Sequence, residues 1–442
     1  MNYLDNILFA LLLALGIGFF AINIRKIIRN IKLGHDVDRY DNPSARWGNM
    51  ALVALGQSKM VKKPIAGILH IIVYLGFVII NIEVIEIVID GLFGTHRVLA
   101  GMGGFYSFLI GSFEILAALV LIAVLTFLAR RTIVRVKRLI HPDLNGWPKS
   151  DAHYILYFEI VLMSLFLLMN AADLHLQQMG VSHYVEAGSF PISQFISPIF
   201  NGMSVSSVVL IERAAWWLHI TGILIFLNYL YYSKHLHILL AFPNTYFADL
   251  EPKGKFDNND AVTNEVKLMM DPNADPFAAA PVDANATPAK FGASDVQDLN
   301  WVQLLNAYTC TECGRCTAAC PANITGKKLS PRKIMMDTRD RMEEVGKNID
   351  ANKGVFIPDN KMLLHDYITA EEIWACTTCN ACVEQCPVSI SPLSIIMDMR
   401  QFLVMEQSAA PMALNAMMSN VENNGAPWQY NQQDRLNWKD EN

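Results

Sequence analysis

Eight cysteines fall in two runs of identical spacing. One is CTECGRCTAACP, with Cys310, Cys313, Cys316 and Cys320 before Pro321; the other is CTTCNACVEQCP, with Cys376, Cys379, Cys382 and Cys386 before Pro387. The run C-x2-C-x2-C-x3-C-P ligates [4Fe–4S] clusters. Three closely spaced thiolates wrap three corners of one cubane, and the fourth, across the proline turn, reaches the other cluster. The expected sets are Cys310, Cys313, Cys316 with Cys386, and Cys376, Cys379, Cys382 with Cys320. Zinc is the competing reading, but zinc sites use two separated C-x2-C pairs or histidines, and two complete copies leave no cysteine over. All eight lie between 310 and 386. That distribution disfavours a secreted disulfide framework and favours a reducing compartment.

Histidine supplies the second chemistry. The stretch WWLHITGILIFLNYLYYSKHLH, residues 216–237, is long and apolar enough to cross a membrane yet holds His219, His235 and His237. An ionisable group inside a bilayer is costly and reads as functional. On a continuous helix, turning about 100° per residue, 18 residues bring His237 back to the face of His219, roughly 27 Å away. Two imidazoles on one face near opposite sides of a bilayer suit two stacked b-type haems. Snorkelling to water is the plain alternative for His237, and a structural hydrogen bond for His219. Haem b takes two axial ligands from different helices. His70, in GILHIIVYLGF, matches His237 in depth, so these two are the expected inner pair. His219 lies toward the outer side, with His175 as its candidate partner; His96 and His183 sit in outer loops and are weaker candidates. The expectation is one or two haem b.

Carboxylates follow the same logic. Glu83 and Glu86 share a helix face, Asp90 follows, and His96 and Arg97 come next in sequence. Such a group could exchange protons with a quinol, so a quinone pocket is expected on the outer side. Hydrogen bonding inside the bundle is the competing account.

These residues need a scaffold that crosses lipid. The chain has 442 residues, 52% of them hydrophobic and only 17% charged, against about 25% charged in ordinary soluble domains. The net charge of −6 points to no nucleic-acid partner. Five apolar stretches, approximately 7–24, 65–88, 104–128, 154–176 and 213–233, can each span about 30 Å of hydrocarbon. The first lacks a basic leader and reads as an uncleaved membrane helix. Arg25, Lys26, Arg29 and Lys32 follow it, Lys59, Lys62 and Lys63 precede the second, and Arg130, Arg131, Arg135, Lys137 and Arg138 follow the third. The positive-inside rule then sets the N-terminus outside and the cysteine-bearing half in the cytoplasm, on an inner, multi-pass membrane protein. Residues 242–298 are rich in Pro, Asp, Asn and Ala and read as a flexible linker. Residues 299–407 alternate cysteine runs with helix-like stretches. The tail, 408–442, reads as poorly ordered.

The 55 residues between Cys320 and Cys376 look helical, and this insertion resembles the helical ferredoxin domains of the C-type subunits of heterodisulfide reductase and of glycerol-3-phosphate dehydrogenase. Five spans, an N-out start, the LH of span two and the LH-x17-H of span five resemble the gamma subunit of respiratory nitrate reductase over residues 1–241. In that family two histidines on span two, ten apart, pair with two on span five. Ten residues beyond His70 stands Ile80, followed by Asn81, so the outer haem lacks its family ligand.

The whole chain is similar to a heterodisulfide reductase-type membrane protein fused to its C-type ferredoxin. The resemblance implies an all-α protein: a five-helix transmembrane bundle, then a mainly helical ferredoxin domain with two [4Fe–4S] clusters. It implies electron transfer between a quinone or quinol in membrane lipid, b-type haem and the clusters, to or from a soluble catalytic subunit, in many relatives one with CCG-type cysteine motifs. A haem-free membrane anchor and docking module, carrying the clusters for a soluble dehydrogenase, is the alternative. The chain has no GxGxxG and no flavin fingerprint, and no carboxylate–histidine pattern supports a non-haem metal.

Overall fold

The computed structural model describes residues 3–256, 258–273, 290–429 and 431–440. Its regular structure is helical, and no strand forms among the described residues; β-pairing is limited to isolated bridges such as His35 with Asn300. Helix α1 is Leu4–Ile31, followed by a short α2 (Pro43–Met50), then α3 (Pro64–Phe93), α4 (Gly104–Thr132), α5 (Trp147–Gln178) and α6 (Val205–Tyr229). Five of these six, α2 excepted, are long and apolar enough to cross a membrane, the last with its extension to Tyr232. This is a membrane protein.

Local chemistry sets the helix ends. α3 opens on Pro64, whose fixed φ and missing N–H suit the first turn, and closes at Gly94 in the left-handed conformation, φ 70°. α6 opens at Ser204, whose side chain accepts from the Ser207 N–H. Along the bundle Leu15, Ile65, Phe108 and Leu210 point outward and exposed, while Glu83, Glu114, Asn170, Asp173 and Glu212 are buried inside. Apolar outside and polar within is the arrangement hydrocarbon requires.

The fifth span does not continue to His237. α6 ends at Tyr229, two 3-10 turns follow, and Ser233 between them is extended (φ −116°, ψ 145°). Asp151, in the first turns of α5, holds this break. Its carboxylate accepts from the Tyr229 hydroxyl at 2.6 Å, the Ser233 hydroxyl at 2.7 Å and the Lys234 N–H at 3.1 Å. The continuous-helix geometry expected for residues 216–237 is therefore wrong: a buried carboxylate offers the Lys234 amide a better partner than another helical turn.

After the break come α7 (His237–Tyr246), α8 (Asp260–Met270), α9 (Trp301–Thr309), α10 (Arg315–Ala319), α11 (Pro321–Ile324), α12 (Pro331–Ala351), α13 (Ala370–Trp374), α14 (Ala381–Gln385), α15 (Pro392–Met405) and α16 (Met412–Asn424). Helix thus forms within 242–298, read from composition as a flexible linker, and within the tail, read as poorly ordered; residues 257 and 274–289 of that linker lie outside the described residues.

The cysteine-bearing half packs on one end of the bundle. Asn30, at the end of α1, donates to the Tyr308 hydroxyl at 2.8 Å, and Arg29 pairs with Asp350. Lys59 donates to Ser389, and Lys62 pairs with Glu384. Lys234 pairs with buried Glu312, which also meets Arg339 at 2.8 Å. Asp143 takes the Ser330 hydroxyl and pairs with Arg332 at 3.1 Å. α12 approaches α1 closely: a Cβ at Gly346 would stand 2.6 Å from the Asn30 amide.

Candidate functional site

The two cysteine runs share one backbone path. Each has a left-handed residue two past its first cysteine, Glu312 (φ 55°) and Thr378 (φ 56°), and another two further on, Gly314 (φ 72°) and Asn380 (φ 58°). Each then makes a five-residue helix, α10 or α14, and sets its fourth cysteine extended, Cys320 at φ −72°, ψ 119° and Cys386 at φ −71°, ψ 122°. The path curls three thiols around one point and turns the fourth away. Gly314 is confined twice over: its φ is positive, and a Cβ there would stand 2.6 Å from Arg332 Nη1.

The fourth thiols cross over. Cys386 lines one cavity with Cys310, Cys313 and Cys316, and Cys382 of the other set borders the same space. Burial, reinforced by the nearby Cys313 and Cys386, pushes the Cys310 thiol up to about 12. Burial also pushes Cys382 up to about 12, with Cys376, Cys320 and Cys379 as its neighbours. Thiols so buried must surrender their protons to bound iron. Backbone N–H groups already point at sulfur, Thr378 to Cys376 Sγ at 3.4 Å and Ile390 to Cys386 Sγ at 3.3 Å. Among the described residues no three His, Cys, Asp or Glu side chains stand close enough to share a single metal ion. A cubane places each thiolate on a different iron and asks for wider spacing, so the donor set fits the cluster.

Cations flank both sets. Arg400 donates to the Ile373 carbonyl at 2.9 Å and lies 5.1 Å over the Trp374 ring, beside Cys376. Arg315, inside the first run, donates to the Lys59 and Met60 carbonyls, each at 3.2 Å. It thereby ties the first cysteine set to the foot of α3. Cys379 is exposed, whereas Cys310, Cys320 and Cys382 are buried.

One turn and a half up from that foot stands His70. Its ring centre lies 6.5 Å from that of His237, with the planes tilted 44°. A metal between two imidazoles, at about 2 Å from each nitrogen, would hold the ring centres roughly 6 Å apart. His237 Nδ1 donates to the Lys234 carbonyl at 3.1 Å, which leaves Nε2 unprotonated as a ligand needs. His70 Nδ1 is buried with no hydrogen-bond partner among the described residues. The pair fits a haem iron.

His219 is buried, and its Nδ1 donates to the Leu162 carbonyl at 3.0 Å, again leaving Nε2 free. Among the described residues its ring contact is with Phe166, at 5.9 Å, and with no second imidazole. His175 does not reach it: it stands 13 residues beyond Leu162 on the same helix, about 20 Å away, with its ring 5.9 Å from Phe200. Ile80, at the family's ligand position, is a buried core residue.

A cavity of about 320 Å³ opens at the end of the bundle opposite the cysteines, with Glu83, Arg97, Asp173, Trp216 and Trp217 in its wall. One hydrogen-bond network runs around it. Arg97 donates to Asp173 at 2.6 Å, to Asn170 at 3.1 Å and to the Tyr106 hydroxyl at 3.1 Å. Tyr106 donates to Glu86 at 2.8 Å, and Glu86 also accepts the Leu99 N–H. His96, 3.3 Å from Asp173 and 5.5 Å from the His183 ring centre, closes the outer side. Burial opposes the charge on Arg97, but Asp173 and its neighbours hold its pKa well above the ordinary value. Trp216 is one helical turn from His219.

Sequence reading did not single out Asp151, Arg315 or Arg97's partnership with Asn170. A charge at the start of a span and an arginine within a cluster run were the available signals, but their partners lie far off in the chain.

Residues 309–390 match the 4Fe-4S dicluster domain family. The chain is 30% identical, over 99% of its length and 61% of the relative's, to the "Probable iron-sulfur-binding oxidoreductase FadF" of Bacillus subtilis. It is 27% identical, over 92% of its length and 55% of the relative's, to the "EtfAB:quinone oxidoreductase" of Syntrophomonas wolfei. Over 24% of its length it is 32% identical to 52% of a Methanosarcina acetivorans polypeptide named as a component of the ferredoxin/F(420)H(2)-dependent CoB-CoM heterodisulfide reductase. The chain thus spans little more than half of the first two relatives. No solved structure matches it. Residues 309–390 are an iron–sulfur dicluster domain, joined to five helices of membrane-crossing length.

Proposed function

We propose that the chain carries electrons between a membrane quinone and a soluble oxidoreductase partner. In this reading Cys310, Cys313, Cys316 and Cys386 hold one [4Fe–4S] cluster, and Cys376, Cys379, Cys382 and Cys320 hold the other. His70 and His237 hold a haem b. His219 holds a second only if something other than imidazole completes its iron. When bound, these groups supply one-electron carriage along the length of the bundle.

The protein's own residues do the rest. Asp151 fixes the turn that delivers His237. Arg315 ties the first cysteine set to the turn that enters the helix bearing His70. The amides of Thr378 and Ile390 and the guanidinium of Arg400 offset the negative charge of bound thiolates. The cavity around Arg97 takes the quinone head group, and exposed Cys379 marks the side on which the soluble partner docks. The cation-rich helix ends beside the cysteines support a cytoplasmic cluster domain and an outer N-terminus.

The observation that carries the reading is the meeting of His70 and His237 at 6.5 Å, on the helix foot that Arg315 joins to the cysteines. The name of the Syntrophomonas relative supports quinone as substrate, and the heterodisulfide reductase name of the Methanosarcina relative supports a soluble partner. The test is anaerobic addition of menadiol to the purified full chain, followed by EPR of the clusters. Reduced-cluster signals are expected. Their absence in a chain loaded with iron and sulfide would reject quinone as the donor.

A further inference from the structure

Glu83 and Glu86 share one face of α3 and both border the outer cavity, yet the structure separates them. Glu86 is committed: one oxygen accepts the Leu99 N–H at 2.9 Å and the other the Tyr106 hydroxyl at 2.8 Å. Asp173 is held by Arg97, His96 and Gln177. Glu114 accepts from Asn170, Ile192 and Ser193. Glu83 is 3% exposed, and its Oε2 is buried with no hydrogen-bond partner among the described residues. An unsatisfied buried carboxylate oxygen costs stability and calls for an explanation. Glu83 lines a cavity of about 320 Å³ whose wall also carries Arg97, Asp173 and the two tryptophans.

We infer that Glu83 is the catalytic residue that exchanges a proton with the quinone oxygen, and that Glu86, Arg97 and Asp173 only position it and the head group. The inference rests on the quinone reading above. When a quinol is oxidised, one O–H bond breaks and its proton forms an O–H bond at the Glu83 carboxylate. The second hydroxyl proton leaves to water at the cavity mouth, where Tyr3 and Phe93 are each 73% exposed. The two electrons would pass, one to each, to two of the iron centres that the cysteines and histidines would hold. Quinone reduction is the reverse, with Glu83 donating.

The test uses the purified full chain and menadione as probe. Trp216 and Trp217 line the cavity, so menadione binding is expected to quench tryptophan fluorescence, and the Trp216→Phe/Trp217→Phe variant to lose most of that quench. Glu83→Gln is expected to bind menadione within about threefold of the parent, while menadiol-driven reduction of the iron centres slows about 100-fold, in the range of lost general acid–base catalysis. Glu83→Asp, which keeps the acid but shortens its reach, is expected to recover part of that rate and serves if Glu83→Gln does not fold. An unchanged rate in Glu83→Gln, or a rate that falls only because menadione no longer binds, overturns the role of Glu83. No quench in the parent chain overturns the quinone site itself.

Discussion

His70 and His237 meet at 6.5 Å between ring centres, although they arise on different helices and the chain between α6 and His237 is broken at Ser233. Two half-buried imidazoles have little structural reason to face each other. Replacing either with alanine is expected to abolish the same haem absorption and leave both cluster EPR signals intact. Loss of different haem signals in the two variants would break the pairing.

Asp151 should matter to that haem without touching it. Asp151→Ala removes the acceptor for Tyr229, Ser233 and Lys234, leaving two hydroxyls and an amide unpaired at a cost of about 3 kcal/mol. The expected result is weakened haem retention at the His70–His237 site, read as loss of the low-spin haem spectrum on dialysis, with cluster content unchanged. An unaltered spectrum would mean that the break at Ser233 is held by other forces.

The crossover of fourth ligands predicts an inverted phenotype. Cys386→Ser should alter the cluster of the first run, Cys310 to Cys316, and Cys320→Ser that of the second. Cluster-resolved EPR on single variants, with Cys313→Ser as reference, decides it. If Cys386→Ser and Cys379→Ser disturb the same signal, each run ligates its own cluster.

The junction between the halves should weaken in acid. Burial alone would raise the Glu312 carboxyl, but Arg339 and Lys234 hold it below its ordinary 4.5. Asp143 is likewise lowered, with the Ser330 hydroxyl and Arg332 overcoming its burial. A depressed carboxylate contributes fully above its unfolded pKa, and the contribution fades as pH falls through the folded value. Thermal stability should therefore hold down to pH about 4.5 and decline below it. Glu312→Gln leaves Lys234 without its buried partner, costs about 3 kcal/mol at neutral pH, and should flatten that decline. A pH-independent melting midpoint in the parent chain would contradict the assignment.

Much of this was legible in the chain. The cysteine spacing specified the dicluster domain because ligand geometry leaves little freedom, and the five spans were readable because lipid demands long apolar runs. The depth match of His70 and His237 also pointed to a contact. What could not be read was the break at Ser233, since its cause, Asp151, is 82 residues away. The distance between His175 and His219 was hidden for a related reason: membrane depth alone does not say which rung of a neighbouring helix a residue faces. Glu83 and Glu86 looked alike until the Leu99 amide and Tyr106 hydroxyl were seen to occupy only one of them.

The most direct test is a pyridine haemochrome spectrum of the purified full-length chain, combined with iron and sulfide analysis. A b-type α-band together with two [4Fe–4S] clusters per chain is the predicted result. Full clusters without any haem absorption would contradict the electron route through the bundle and leave the five helices as an anchor for the dicluster domain.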